Sequence, residues 1–148
     1  ELDEEELANV IYELGEERRS RRIAKAIVAA RPVTDAKELA EVVRRSAGYP
    51  RGRTHPATRT FQALRMAVNH ELDSLNAGLT QAASVLEPGG RVVTIAYHSL
   101  EDRAIKRFFG PTDTPLRAVN KKVIKPSQEE VSRNRRSRSA KLRVAERT

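Results

Sequence analysis

Apolar positions return every three or four residues over the first third of the chain, a spacing that predicts three short amphipathic helices. Leu7, Val10, Ile11 and Leu14 form the first stripe, opened by the Asp3-x-x-Glu6 spacing of a capping box and stopped at Gly15. A second helix is expected from about Glu17 to Ala30, with Ile23 and Ile27 inward, Arg18, Arg19, Arg21 and Arg22 outward, and Pro32 closing it. Thr34 is expected to cap a third helix, whose stripe is Leu39, Val42 and Val43 and whose end is Gly48. Each stripe needs the others for cover, so residues 1–49 are expected to form a small all-helical unit.

Tyr49-Pro50-Arg51-Gly52-Arg53-Thr54 has no apolar period and carries Pro and Gly, so residues 50–55 read as a linker. Beyond it, Phe61, Leu64, Val68, Leu72, Leu75, Leu79, Ala82 and Leu86 keep one face apolar, which predicts a long helix opening at Pro56 and bent or divided at Gly78. After a Pro88-Gly89-Gly90 turn, the β-branched run Arg91–Tyr97 has the length of a strand. Its unbroken apolarity predicts a buried parallel strand. Ser99 stands at N-cap spacing before Leu100-Glu101-Asp102, with Ala104, Ile105 and Phe108 behind it, so a helix of about ten residues follows. Val119–Ile124 and Ala140–Ala145 are two further strand candidates, separated by Pro126-Ser127 and an Arg/Ser-rich stretch over 132–139. The order helix, strand, helix makes residues 56–148 the last part of an open α/β sheet. The later strands cover only one side of 91–97, which is too apolar for a bare edge. A second copy of the chain, or a further part of a longer protein, is expected on the other side.

The chain has 148 residues, enough for one ordinary domain or two small ones. It has no Cys, which excludes a disulfide scaffold and a zinc-thiolate site, and only six aromatics, which predicts an aliphatic core. No apolar run has the length of a membrane span, and the acidic start Glu1–Glu6 is the opposite of a signal peptide's basic opening, so a cytoplasmic protein with no membrane partner is expected. Residues 1–100 hold 14 basic and 14 acidic side chains, whereas 101–148 hold 14 basic and 6 acidic, so the whole net charge of +8 lies in the last third. That asymmetry favours a phosphate-rich partner.

The sharpest local feature is Tyr97-His98-Ser99-Leu100-Glu101-Asp102-Arg103, where a strand ends and a helix begins. In open α/β sheets ligands bind at such strand ends. A Ser-His-acid triad does not fit, because His98 and Ser99 are adjacent and no G-x-S-x-G elbow precedes the helix. His55, His70 and His98 show no metal-ligand spacing, so no metal site is expected. Gly89-Gly90 precedes a strand, whereas a cofactor loop follows one and opens a helix. No cofactor-binding residue is therefore assigned.

Three strings go further: His55-Pro56-Ala57-Thr58-Arg59-Thr60-Phe61-Gln62-Ala63-Leu64-Arg65, Tyr97 to Arg103, and Asn134-Arg135-Arg136-Ser137-Arg138-Ser139-Ala140-Lys141-Leu142-Arg143. Together they resemble the ribosomal RNA small subunit methyltransferase H (MraW) family, as do Gly15-Glu16-Glu17-Arg18 and Pro126-Ser127-x-Glu129-Glu130. Tyr97 stands where the family pattern has Phe. The resemblance covers this whole chain but only the second half of a family member. It implies the C-terminal part of a Rossmann-like methyltransferase sheet, residues 1–49 being the later part of the family's inserted helical domain. It also implies methyl transfer from S-adenosylmethionine to N4 of a cytidine in small-subunit ribosomal RNA. The family's glycine-rich cofactor loop and ribose-binding acid belong to its N-terminal half, so this chain alone is expected to bind the cofactor poorly and to be inactive. A non-catalytic RNA-binding or assembly module is the alternative.

In the resemblance, Tyr97 stacks on the target base, and His98, Ser99, Glu101 and Asp102 contact it. Arg59 and Arg103 are expected to hold phosphates near the pocket. Lys121, Lys122, Lys125, Arg135, Arg136, Arg138 and Lys141 are expected to bind RNA as a group. Which residue orients or deprotonates the cytosine amine is left open.

Overall fold

A computed structural model describes residues 1–48, 55–110 and 114–148. The chain divides into two compact units, Glu1–His70 and Glu71–Thr148. Among the described residues there are seven α-helices and one three-stranded antiparallel sheet, an α/β protein. No helix among them is long and apolar enough to cross a membrane.

In the first unit, α1 (Glu4–Gly15) opens on a complete capping box: Glu6 N–H donates to Asp3 Oδ1 at 2.8 Å, and Asp3 N–H to Glu6 Oε2 at 2.9 Å. The helix ends one residue later than the sequence suggests, on Glu16 in the left-handed region (φ 50°). Gly15 serves packing instead, since an added Cβ would lie 2.7 Å from Arg59 O. The second helix, α2, is Ser20–Ala29; it starts late because Glu17 is held outside it, its carboxylate accepting Arg19 N–H at 2.9 Å. The third, α3 (Ala36–Ala47), is capped by Asp35 rather than Thr34. Thr34 instead donates its N–H and its hydroxyl to the Glu38 carboxylate. Gly48 ends α3 at φ 71°, a conformation that suits a residue without Cβ.

Leu7, Ile11, Ile23, Ile27 and Val43 form the core of this unit, and Phe61 and Leu64 of α4 (Thr58–Val68) pack against it. The expected linker, apart from His55, lies outside the described residues. The first unit runs past it to His70 and takes in α4.

The long helix expected over 56–86 is two helices, and it breaks at His70 (φ 48°) rather than at Gly78. Gly78 sits within α5 (Glu71–Val85) with open space around it. In the second unit the sheet order is β1–β3–β2, with β1 Arg91–Ala96, β2 Leu116–Ala118 and β3 Lys141–Arg147. The strand expected to be buried and parallel is instead an antiparallel edge strand, paired with β3 from Arg91↔Glu146 to Ala96↔Lys141. Its Val92 and Ala96 face a core of Leu79, Ala83, Ile105, Phe109, Leu116 and Ala145. Val93 and Ile95 are 58% and 56% exposed, because α5 and α6 (Ser99–Phe108) cover only one sheet face. Among the described residues no strand pairs with the other edge of β1.

The strand expected over 119–124 is not formed: β2 lies just before it, and within it there is a single bridge, Ile124↔Leu142. The Arg/Ser-rich stretch carries local structure that apolar periodicity does not signal. Ser127 caps α7 (Gln128–Arg133), and Asn134 caps a 3-10 turn over Arg135–Ser139.

Candidate functional site

The end of β1 and the first turn of α6 are tied together by three neighbouring residues. His98, not Ser99, is the N-cap, in extended conformation, with Nδ1 accepting the Glu101 N–H at 3.4 Å. Ser99 becomes the first helical residue. Glu101 reaches back, its Oε2 accepting the Tyr97 N–H at 3.1 Å. This reciprocal arrangement resembles a capping box shifted one residue outward. Tyr97 itself is more than half exposed.

Because Nδ1 accepts, a neutral His98 carries its proton on Nε2. That atom is buried, has no aligned hydrogen-bond partner, and lies 3.1 Å from Glu101 Oε1. Glu71, at the start of α5, brings a second carboxylate, so one donor atom from each of Glu71, His98 and Glu101 lies within 4.8 Å of the others. A metal fits this set poorly, because His98 would have to give up its cap bond or its proton to bind through Nε2. The arrangement leaves a carboxylate braced by backbone beside an imidazole, a pair able to accept an N–H.

Asp102 is engaged elsewhere. Arg143 of β3 donates Nε to Oδ1 at 2.7 Å and Nη2 to Oδ2 at 3.3 Å, a two-pronged bond with side chains only 12% (Arg143) and 18% (Asp102) exposed. The Arg143 hydrogen bond holds the Asp102 carboxyl below its usual value, against the opposing effect of burial, with further help from the charges of Arg143, Lys141 and Lys106. Asp102 therefore fastens α6 to the sheet. Arg103 is exposed on α6. Arg59 belongs to the first unit, where it donates to Glu16 O at 3.3 Å and stands 3.8 Å from the Glu17 carboxylate. The helix–strand junction thus brings Tyr97, His98, Ser99 and Glu101 together, adds Glu71 and Arg143, and turns Asp102 toward β3. Glu71 lies 27 residues before His98 and has no motif of its own, so no sequence signal joins it to the cluster.

The model of the MraW methylase family matches residues 1–148. The chain belongs to the MraW methylase family. It is 52% identical to ribosomal RNA small subunit methyltransferase H of Dehalococcoides mccartyi over 162 aligned positions, which take in 98% of this chain and 46% of that protein. The corresponding protein of Coprothermobacter proteolyticus is 55% identical, with 97% of this chain and 49% of the relative aligned. That of Synechococcus elongatus is 53% identical, at 99% and 50%. The chain spans about half the length of the curated relatives it matches.

In this MraW chain the basic residues expected to bind RNA all belong to the second unit. Lys121, Lys122 and Lys125 are exposed around the Ile124 bridge, and Lys141 opens β3 opposite Ala96. Arg135, Arg136 and Arg138 project from the 3-10 turn, and among the described residues none of their guanidinium groups has a hydrogen bond or an ion pair. Gly89 and Gly90 are committed to structure: Gly89 N–H donates to Arg147 O and Gly90 N–H to Glu87 O, both at 2.8 Å. Those amides cannot cradle a cofactor.

Proposed function

We propose that this chain forms the base- and RNA-contacting part of an S-adenosylmethionine-dependent methyltransferase that modifies N4 of a cytidine in small-subunit ribosomal RNA. Family membership and the names of the relatives support the reaction class. The observation that supports the role of these residues is the Tyr97–His98–Glu101 cluster at the end of β1.

The N4 lone pair of cytosine is delocalised into the ring, so the amine is a weak nucleophile and gains most from being held in line and relieved of N–H density. Glu101, fixed by the Tyr97 amide and flanked by His98, accepts an amine N–H. The Tyr97 ring carries the unstacked base. Ser99 borders the same turn, Asp102 anchors the helix through Arg143, and Arg59 and Arg103 meet backbone phosphates. The paired glycines spend their amides within the fold and offer S-adenosylmethionine no cradle. The main cofactor residues are therefore assigned to the remaining half of a family-length protein, as part of a Rossmann-like sheet. That half, or a second copy of this chain, covers the free edge and outer face of β1. A protein acting on ribosomal RNA works where ribosomes assemble, in the cytoplasm.

The test combines this chain with the amino-terminal half of a relative and follows labelled methyl transfer to a small-subunit ribosomal RNA fragment. The combination transfers methyl groups, the chain alone gives no calorimetric signal with S-adenosylmethionine, and Glu101→Gln lowers the rate by about a hundredfold. Unchanged transfer by Glu101→Gln removes Glu101 from the reaction, and tight one-to-one cofactor binding by the chain alone overturns the division of labour. Failure of transfer while salt-sensitive RNA binding persists favours the non-catalytic module, which the unpaired Arg135, Arg136 and Arg138 also suit.

A further inference from the structure

The α7 helix and the 3-10 turn after it enclose an open recess of about 690 Å³. Its polar capacity is mostly spent: Ser127 Oγ accepts the Glu130 N–H at 3.1 Å, and Ser132 Oγ donates to Glu129 O at 2.8 Å. Glu129 pairs with Arg133. What remains toward solvent is the Gln128 amide and two unpaired guanidinium groups, Arg135 and Arg138, beside the apolar surfaces of Pro126 and Val131. A bare anion site needs no apolar floor, and a partner protein's apolar side chain needs no pair of cations. The volume lies in the range of small-molecule sites. We infer that this recess holds one nucleotide of a single-stranded RNA segment, its phosphate on Arg135 and Arg138 and its sugar and base over Pro126 and Val131. A base reaches such a recess only when unstacked, which a duplex forbids and a single strand allows. The inference rests on the RNA-binding reading above and adds a site for a nucleotide other than the target base.

Two labelled strands of about 12 residues test it by fluorescence anisotropy, one an oligouridylate and one abasic with the same phosphates. The chain binds the base-bearing strand several-fold more tightly. Replacing both Arg135 and Arg138 by Ala weakens that strand by about tenfold, makes its log–log salt slope shallower by about 0.7, and removes the preference. Val131→Glu removes the preference with both arginines in place. Lys121→Ala with Lys122→Ala weakens both strands equally and keeps the preference. All variants are checked for unchanged melting. Equal binding of the two strands by the unaltered chain, or a preference that survives loss of both arginines, overturns the nucleotide site and leaves RNA binding standing. No binding of either strand at low salt overturns the RNA reading and the site together.

Discussion

Asp102 and Arg143 are 41 residues apart and each lies in a family-like string, yet neither string announces that the two meet. The pair joins the first turn of α6 to the central strand, and its geometry makes it a stability element with a defined pH dependence. The folded carboxyl titrates below the unfolded value of about 3.9. Its contribution is therefore complete above the unfolded value and is lost as pH falls through the lower, folded one. Asp102→Asn is expected to cost about 1–2 kcal/mol at pH 7. The difference from the unaltered chain should shrink steadily below about pH 4. Urea melts at several pH values measure it, and a difference that persists undiminished in acid would show that the charge is irrelevant. His98 and Glu101 were legible as candidates because strand end, helix start and polar string coincide in one stretch. The exchange of the cap from Ser99 to His98 was not legible, because either side chain can accept a hydrogen bond from the amide three positions on. Only the extended backbone at His98 decides between them.

Among the elements, helices with an apolar stripe and a polar cap were the most readable; α1 and α3 needed only a one-residue change at one end. The long apolar face over 56–86 misled, because its period runs on across His70, where the backbone turns left-handed without Gly or Pro to mark it. The strand face misled for a different reason: β-branched residues suit a buried parallel strand and an uncovered antiparallel edge alike. Two glycines separate packing from conformational entropy. In α1, a Cβ at Gly15 would meet Arg59 O at 2.7 Å and Ala63 Cβ at 3.2 Å, and backbone cannot move aside as a flexible side chain does. Gly15→Ala is expected to destabilise the first unit by about 1–3 kcal/mol. Gly78→Ala, in α5 with nothing within 4 Å of the new atom, is expected to stabilise by about 0.4–1 kcal/mol. Thermal melts of the two variants should move in opposite directions. A shift of Gly15→Ala to higher temperature would mean that α1 and α4 do not approach as closely as described.

At the level of the whole molecule, the sheet of the second unit carries helices on one face. Residues directly opposed in an antiparallel pair share a face, so Val93 with Val144 and Ile95 with Leu142 line the side that α5 and α6 leave open. Val93, Ile95 and Ile124 are each at least half exposed, and the outer backbone groups of β1 have no strand beside them among the described residues. A free edge next to an uncovered apolar face is a template for association. The relatives, which are about twice as long, have chain enough to cover it. Kept apart from such a partner, the chain is expected to associate with itself, its mass by light scattering rising with concentration. Replacing both Val93 and Ile95 by Lys places charges on the open face and leaves the core side of β1 untouched, so the mass should fall to that of a monomer with little change in melting. The same double variant should fail to combine with the amino-terminal half of a relative. A monomer at every concentration, or a variant that still combines with that half, would mean that the outer face of this sheet is built to meet water.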